Sequence, residues 1–167
     1  MTATSAAHTS FVLDRRFKAS AARVFAAWAD PATKLRWSDC HAETNAAEFS
    51  MDFRPGGFEL YRSRLPDGTQ LAVDKVFLDI VPNARIVFAY SMAANGKAFS
   101  ASLVTVEFSD TPGGSTLKLT EQLAYLDGHM DIEQRRRGTE EGLDRLLLDV
   151  HVTVEVGELL GQLQRRA

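Results

Sequence analysis

The sequence contains one cysteine, Cys40, in 167 residues, so no internal disulfide can form. A lone thiol is typical of proteins that work in a reducing compartment. No apolar run approaches the roughly 18 residues that span a membrane, and the first residues lack a basic segment followed by an apolar stretch. We therefore expect a cytoplasmic protein that does not insert into a membrane.

Positive charge is also scarce. The chain has 19 lysines and arginines against 22 acidic residues, a net charge of -3. No stretch combines clustered basic residues with aromatic ones, so nucleic acid is not expected as a partner. The one basic run, Arg135, Arg136 and Arg137, lies between Glu133 and Glu140 in the sequence. We interpret that run as a solvated helix face rather than as a phosphate-binding site.

The usual sequence signatures of catalysis and metal binding are missing. The chain has no glycine-rich loop followed by Lys-Ser or Lys-Thr, no Gly-x-Ser-x-Gly, and no cysteine or histidine pairs at ligand spacing. In Asp39-Cys40-His41 the thiol and imidazole could bind a metal or act as a nucleophile. Adjacent side chains rarely converge on one centre, so we interpret this segment as a surface loop. No catalytic residue, metal or cofactor is predicted.

What is present is the composition of one globular domain. Hydrophobic residues make up 45% of the chain and charged residues 25%, and this length is sufficient for one core. Residues 1–9 are small and polar and are predicted to form a flexible arm. Residues 10–167 are predicted to form a single domain, which begins with a strand at Ser10.

Two short helices are predicted to follow the first strand. Ser20 stands where an N-cap would precede a helix over residues 21–28. Asp30 and Pro31 form a second start signal, because aspartate caps free helix N–H groups and proline fits the first helical position. The second helix should run from Pro31 to about Trp37.

From about residue 42 to residue 125 the chain alternates apolar and polar residues in short runs. Turn residues such as Pro66-Asp67-Gly68 separate these runs, which is typical of strands joined by hairpins. Each run has a period of two and should present one face to a core. The runs are Phe49, Met51 and Phe53; Val76, Leu78 and Ile80; Ile86, Phe88 and Tyr90; Val104, Val106 and Phe108; and Leu117 and Leu119.

After Gly128 the period changes to that of a helix. Leu143, Leu146, Leu147 and Val150 share one apolar stripe. Residues 150–156 also alternate like a strand, but a continued helix is favoured. The order of elements predicts an α+β fold in which a curved antiparallel sheet wraps around one long C-terminal helix, the helix-grip arrangement.

Several stretches in this order resemble one known superfamily. They are Val24-Phe25-Ala26-Ala27-Trp28-Ala29-Asp30-Pro31 leading to Leu35 and Trp37, Asp52-Phe53-Arg54-Pro55-Gly56-Gly57-Phe58, Leu65-Pro66-Asp67-Gly68, Val76 to Pro82 with Arg85-Ile86-Val87, Val104-Thr105-Val106-Glu107-Phe108, and Ser115-Thr116-Leu117-Lys118-Leu119-Thr120. The chain is similar to the SRPBCC superfamily, also called START-like or Bet v 1-like. It resembles the branch named for the C-terminal domain of the Aha-type activator of a heat-shock chaperone ATPase.

The resemblance covers about residues 11–150 and implies a cavity between the sheet and the long helix. Such families bind small molecules there, and some members act as cyclases, hydrolases or transporters. The resemblance transfers no catalytic residue. The chain departs from the family by having Gly142-Leu143 where a Gly-Trp pair often stands, and by a longer segment after Val150, which suggests an added contact surface.

Five polar residues share the predicted phase of the apolar residues on their strands. If no bulge intervenes, all five should face the helix, where an unpaired charge would be too costly. They are Arg62 and Arg64 in phase with Phe58 and Leu60, Asp74 in phase with Val76, Tyr90 in phase with Phe88, and Glu121 in phase with Leu119. They could orient a ligand in an apolar pocket, or they could form structural ion pairs or strand ends in water.

Aromatic residues of the two short helices could close one end of the cavity. Trp28 is predicted to be a core residue, whereas Trp37 could line the pocket mouth or the core. The predicted ligand-binding residues are Trp37, Phe53, Arg62, Arg64, Asp74, Val76, Leu78, Tyr90, Glu121 and Leu147.

Three functional hypotheses follow. The first is a protein that binds a small hydrophobic molecule, lipid-like or aromatic, in the cavity. The second is a cyclase or hydrolase in which Glu121 or Asp74 acts as base while Tyr90 or an arginine polarises a carbonyl. The third is a chaperone-activating or partner-binding module, with a homodimer through residues 152–163.

Overall fold

The computed structural model describes residues 4–38 and 46–164, with side chains described for residues 4–38 and 48–151. The strands are β1 (Ala6–Phe17), β2 (Ala46–Met51), β3 (Phe58–Arg64), β4 (Gln70–Val81), β5 (Arg85–Ala94), β6 (Lys97–Thr111) and β7 (Gly114–Leu126). The helices are α1 (Ala21–Ala29), α2 (Pro31–Ser38) and α3 (Ile132–Gln164).

The strands form one antiparallel sheet in the order β1-β7-β6-β5-β4-β3-β2. Strands β2 to β7 are joined as successive hairpins, and β1 pairs with β7 at the other edge. The curved sheet holds helix α3 against its inner face, where Leu143, Leu146 and Val150 are buried. The predicted helix-grip fold is confirmed.

The two short helices begin at the predicted caps. The Ser20 hydroxyl oxygen accepts a hydrogen bond from the Arg23 amide at 3.3 Å, and Asp30 Oδ2 accepts from the Thr33 amide at 2.7 Å. Each cap satisfies a backbone donor that has no partner within its own helix. Both predicted helices are therefore confirmed.

The ends of the domain differ from the prediction at one point. Strand β1 begins at Ala6, which pairs with Leu126, so the predicted flexible arm is wrong for residues 6–9, and residues 1–3 lie outside the described part of the chain. Backbone pairing with β7 orders this small, polar segment, which has no sequence pattern of its own. At the other end, helix α3 continues to Gln164, as favoured.

The core is an aromatic and aliphatic cluster between the sheet and the helices. Trp28 lies near Trp37, Phe88 and Phe108, with ring centroids 4.7 to 6.4 Å apart, and Leu146 of α3 is fully buried. None of the described helices is long and apolar enough to cross a membrane.

Candidate functional site

A cavity of about 970 Å³ lies between the inner face of the sheet, helix α2 and the first half of helix α3. Its volume is at the upper end of the range for small-molecule sites, about 300 to 1,000 Å³. Much of its lining is aromatic or aliphatic, including Trp37, Phe88 and Leu119. The exposed side chains of Lys97 and His129 also line it, so the cavity reaches the surface near the start of α3.

Strands β3 and β4 present the opposite face to this cavity from the one predicted. Glu59 and Tyr61 of β3 and Val73 and Lys75 of β4 line it, whereas Phe58 is 59% exposed.

The predicted residues Arg62, Arg64, Asp74, Val76 and Leu78 therefore lie on the outer face, and their assignment to the pocket is wrong. Leu78 is 51% exposed. Arg62 forms an ion pair with Asp74 at 2.6 Å, with both side chains partly exposed.

Two physical reasons explain this error. Both faces of these strands carry apolar residues, so the hydrophobic pattern does not distinguish them. The inner face also carries the charges of Glu59 and Lys75, which are tolerated there because they compensate each other. A prediction from hydrophobicity alone therefore selected the wrong face. The β4–β5 pairing also contains a bulge between Phe77 and Asp79. The extra residue shifts the alternation, so Phe77 is buried and Ile80 packs against the core, while Leu78 points outward.

A row of polar side chains crosses the inner face of the sheet. Glu59 is the cross-strand partner of Lys75, Lys75 of Tyr90, and Tyr90 of Ser102. Directly opposed residues have Cβ atoms about 4.5–5.5 Å apart, and Glu121 of β7 adjoins Ser102 through a hydrogen bond of 2.7 Å. We call Glu59, Lys75, Tyr90, Ser102 and Glu121 the polar row. It places polar groups of five adjacent strands at one level of the interior.

Arg135 of helix α3 closes one end of the polar row. Glu121 Oε1 accepts three hydrogen bonds, from the Tyr90 hydroxyl at 2.6 Å, the Ser102 hydroxyl at 2.7 Å and Arg135 at 3.1 Å. Arg135 also donates to the Tyr90 oxygen at 2.8 Å and to the Ser100 oxygen at 2.7 Å. A buried ion pair, supported by hydrogen bonds from Tyr90 and Ser102, thus connects helix α3 to the sheet.

Burial and neighbouring charge set the protonation of this end of the cavity. Burial raises the pKa of Tyr90, and the charge of Glu121 raises it further, so the phenol stays protonated. Burial by itself lowers the pKa of Arg135, but the negative charge of Glu121 and the hydrogen bond to Tyr90 act in the opposite direction, and the pKa is raised. Arg135 is therefore a permanent cation.

The other end of the polar row is a second buried ion pair. Lys75 Nζ donates to Glu59 Oε1 and lies 4.6 Å from the centroid of the Phe88 ring. Lys34 Nζ lies over the Trp28 and Trp37 rings, 4.0 and 4.1 Å from their centroids.

Burial alone would raise the pKa of Glu59, but the charges of Lys75 and Lys34 outweigh it and lower this pKa. Glu59 Oε2 is buried and has no hydrogen-bond partner among the described residues.

This lowered pKa predicts a pH dependence of stability. In the unfolded chain Glu59 has a pKa near its ordinary value of 4.5, so it takes up a proton at a higher pH than in the folded protein. The stabilisation by the ionised Glu59 side chain is therefore complete above that pKa. It is lost as the pH falls through the lower pKa of the folded state. We expect the free energy of unfolding in urea to fall less steeply with acid in the Glu59→Met/Lys75→Met variant than in the wild type.

The exposed pair on the outer face of the same two strands supplies the control. The Arg62→Gln/Asp74→Asn variant should keep the wild-type pH dependence, because exposed pairs contribute little. Equal acid dependence in the buried-pair variant and the wild type would contradict the prediction.

Among the other predicted site residues, Trp37, Tyr90 and Glu121 line the cavity, and their contact with a ligand stays a prediction. Phe53 and Leu147 pack against the hydrophobic core instead. The Asp39-Cys40-His41 segment lies outside the described residues. Within the described ranges, no group of three or more potential metal ligands comes together.

The sequence interpretation missed Glu59, Lys75, Lys34 and Arg135. The assignment of Arg135 to a solvated face is wrong, because its side chain is only 10% exposed. The sequence did contain a signal for the burial of Arg135. This residue precedes the buried Leu146 by eleven residues, which is about three helical turns, so both lie on the same face of the helix. No comparable signal marks Glu59 and Lys75, since only strand pairing brings them together.

Comparisons with known proteins agree with this architecture. Residues 18–151 match the family model of the Activator of Hsp90 ATPase homolog 1-like protein. A solved structure of a protein from Rhizobium leguminosarum is 46% identical with a TM-score of 0.86, and the match covers 90% of this chain and 99% of that one. A protein from Rhizobium loti is 42% identical with a TM-score of 0.80, covering 86% and 98%.

A more distant structure shares the fold alone. The AHSA1-like protein from Aeromonas hydrophila, solved by NMR, is 18% identical with a TM-score of 0.65, and the match covers 87% of this chain and 94% of that one. The comparison with curated proteins gave no match.

Proposed function

The chain belongs to the family of Activator of Hsp90 ATPase homolog 1-like proteins, and from this premise we propose that it binds a small, largely apolar molecule in the cavity between sheet and helix α3. The observation that carries the proposal is the cavity of about 970 Å³, with its aromatic lining and its two buried ion pairs. Ligand sites typically combine an apolar surface with a few fixed polar groups.

Native mass spectrometry of the protein purified without added ligand tests this proposal directly. We expect a retained small mass, and a rise in the unfolding midpoint when the same compound is added, because a ligand bound only by the folded state stabilises it by mass action. A protein that carries no mass, and that no compound of a broad hydrophobic library stabilises, would rule the proposal out.

Filling the cavity should weaken ligand binding without unfolding the domain. Gly138 of helix α3 lines the cavity, and a Cβ at this position would have no atom within 4 Å. We expect Gly138→Trp to weaken binding of a cavity ligand at least about tenfold, since the indole would occupy the ligand's space. The measurement is a titration of the retained compound into each purified variant.

The matched control is Gly138→Ala. Alanine fills almost none of the cavity and should stabilise the helix by about 0.5–1 kcal/mol while leaving the affinity unchanged. Wild-type affinity in Gly138→Trp would show that the ligand lies elsewhere.

An enzymatic role is the second candidate. It is favoured by the 2.6 Å hydrogen bond from Tyr90 to Glu121, which places the two groups predicted for catalysis within hydrogen-bond reach of each other. The form with Asp74 as base is wrong, because Asp74 lies on the outer face. Mass spectrometry of the bound compound after prolonged incubation separates the two roles, since an enzyme converts the compound and a carrier returns it unchanged.

The partner-binding alternative and a cytoplasmic location stay predictions. A role as a chaperone activator or as a homodimer through residues 152–163 is tested by the mass of the purified protein in solution and by co-purifying proteins. A monomer that retains no protein partner would count against this alternative.

A further inference from the structure

We infer that the ligand of this cavity is uncharged and carries a hydroxyl group that docks on the Glu59–Lys75 ion pair, with its apolar body extending toward the Arg135 end. The inference rests on the proposed function and adds to it the chemical class and the orientation of the ligand. Its observations are the two compensated ion pairs of the cavity and the buried Glu59 Oε2 atom, which has no hydrogen-bond partner among the described residues.

The two buried ion pairs are each self-compensating. Lys75 balances Glu59, and Arg135 balances Glu121, with all four side chains at most 10% exposed. A charged ligand would add a further buried charge, which is costly unless it is paired. A third buried cation of the lining, Lys34, lies over the Trp28 and Trp37 rings. Because the charges of both ion pairs are compensated within the protein, the pairs favour a neutral ligand.

At the Arg135 end, the arginine and the two hydroxyl groups already bond to one another and to Glu121 Oε1. Arg135 donates to Tyr90, Ser100, Ser102 and Glu121. Tyr90 and Ser102 in turn donate to Glu121 Oε1. A ligand hydroxyl group at Arg135, Tyr90 or Ser102 would compete with a hydrogen bond already made, so the apolar body of the ligand fits this end better.

The Glu59 end has both an acceptor and donors to spare. Among the described residues, Glu59 Oε2 is buried without a hydrogen-bond partner, and Lys75 Nζ donates only to Glu59 Oε1, although an ammonium carries three donors. The terminal torsion of a glutamate side chain is broad, so a small rotation turns Oε2 toward the cavity. A hydroxyl group matches this pair because it donates to the carboxylate and accepts from the ammonium.

The rings around the pair indicate the body of the ligand. Trp37 and Phe88 line the cavity beside Lys75 and Lys34, and flat aromatic surfaces pack well against a planar or fused-ring molecule. The class that fits is a neutral phenol or alcohol on an apolar ring system.

Four fluorescent probes of nearly the same shape test the inference on the unmodified protein: hydroxypyrene, methoxypyrene, pyrene and pyrenecarboxylic acid. We expect hydroxypyrene to bind about tenfold or more tightly than methoxypyrene and pyrene, because a hydrogen bond to a charged group is a strong one. Methoxypyrene accepts but does not donate, so it isolates the contact with Glu59. Pyrenecarboxylic acid should bind more weakly than pyrene.

Two variants locate the preference. The Glu59→Met/Lys75→Met variant removes both charges together, which avoids a lone buried charge, and should bind hydroxypyrene no more tightly than pyrene. The Arg62→Gln/Asp74→Asn variant alters the exposed pair on the outer face of the same strands and should keep that preference.

The outcomes distinguish a failure of this inference from a failure of the proposed function. Equal affinity for all four probes would overturn the inference and leave the proposed function in place. Tightest binding of pyrenecarboxylic acid would have the same effect, because it would assign ligand recognition to the lysines. Binding of none of the probes would count against the proposed function and the inference together. If the double variant fails to fold, the four affinities of the unmodified protein decide the question.

Discussion

Replacing Arg135 with methionine should destabilise the folded protein by about 3–5 kcal/mol, the cost of leaving a buried charge without its partner. Glu121 is 2% exposed, and Arg135 is the cation paired with it. The substitution also removes the donors to the Tyr90 and Ser100 hydroxyl oxygens. The measurement is the free energy of unfolding in urea at neutral pH, followed by circular dichroism.

The neighbouring arginine is a matched control for this substitution. Arg136 forms an exposed i,i+4 pair with Glu140 at 3.1 Å, and Arg136→Met should change stability by no more than about 0.5 kcal/mol. Adding Glu121→Gln to Arg135→Met should recover much of the loss, because the isolated charge is removed. Equal effects of the two single substitutions would show that Arg135 is solvated and that the pair with Glu121 is absent.

Replacing Trp37 with alanine should cost about 3–5 kcal/mol, as for other large buried aromatic residues. The Trp37 ring is 4% exposed and packs against Trp28 at 4.7 Å. Its Nε1 donates to the Ala27 carbonyl oxygen at 2.9 Å, which fastens helix α2 to helix α1. Truncation would leave a void beside Lys34 and an unpaired buried carbonyl, and urea unfolding measures the loss.

Two controls separate these contributions. Trp37→Phe keeps a ring but loses the hydrogen bond to Ala27, so it should cost less than alanine. Leu148→Ala removes an apolar side chain that is 63% exposed on helix α3 and should stay within about 0.5 kcal/mol of the wild type. A loss for Trp37→Ala as small as that for Leu148→Ala would contradict the packing described here.

The predictable part of this protein is the part that depends on local sequence. The caps at Ser20 and Asp30 fix the starts of two helices through hydrogen bonds to backbone groups three residues away. The stripe of Leu143, Leu146 and Val150 identifies the helix that the sheet surrounds.

The candidate site was predicted only in part. Tyr90 and Glu121 were placed correctly, because their strands carry one clear apolar phase, with Phe88 and Leu119 buried. Glu59 and Lys75 were not placed in the site. A charged residue at an inward position contradicts the hydrophobic pattern, and only the pairing of the two strands shows that each charge has a partner.

The sequence by itself determined the order of the elements, the antiparallel sheet and the long closing helix, since each follows from periodicity, caps and turns within a few residues. Only the tertiary structure decided which face of β3 and β4 lines the cavity and that Arg135 lies inside it. The physical reason is that a buried charge is tolerated where an opposite charge meets it, and these pairs join residues 16 and 14 positions apart in the chain.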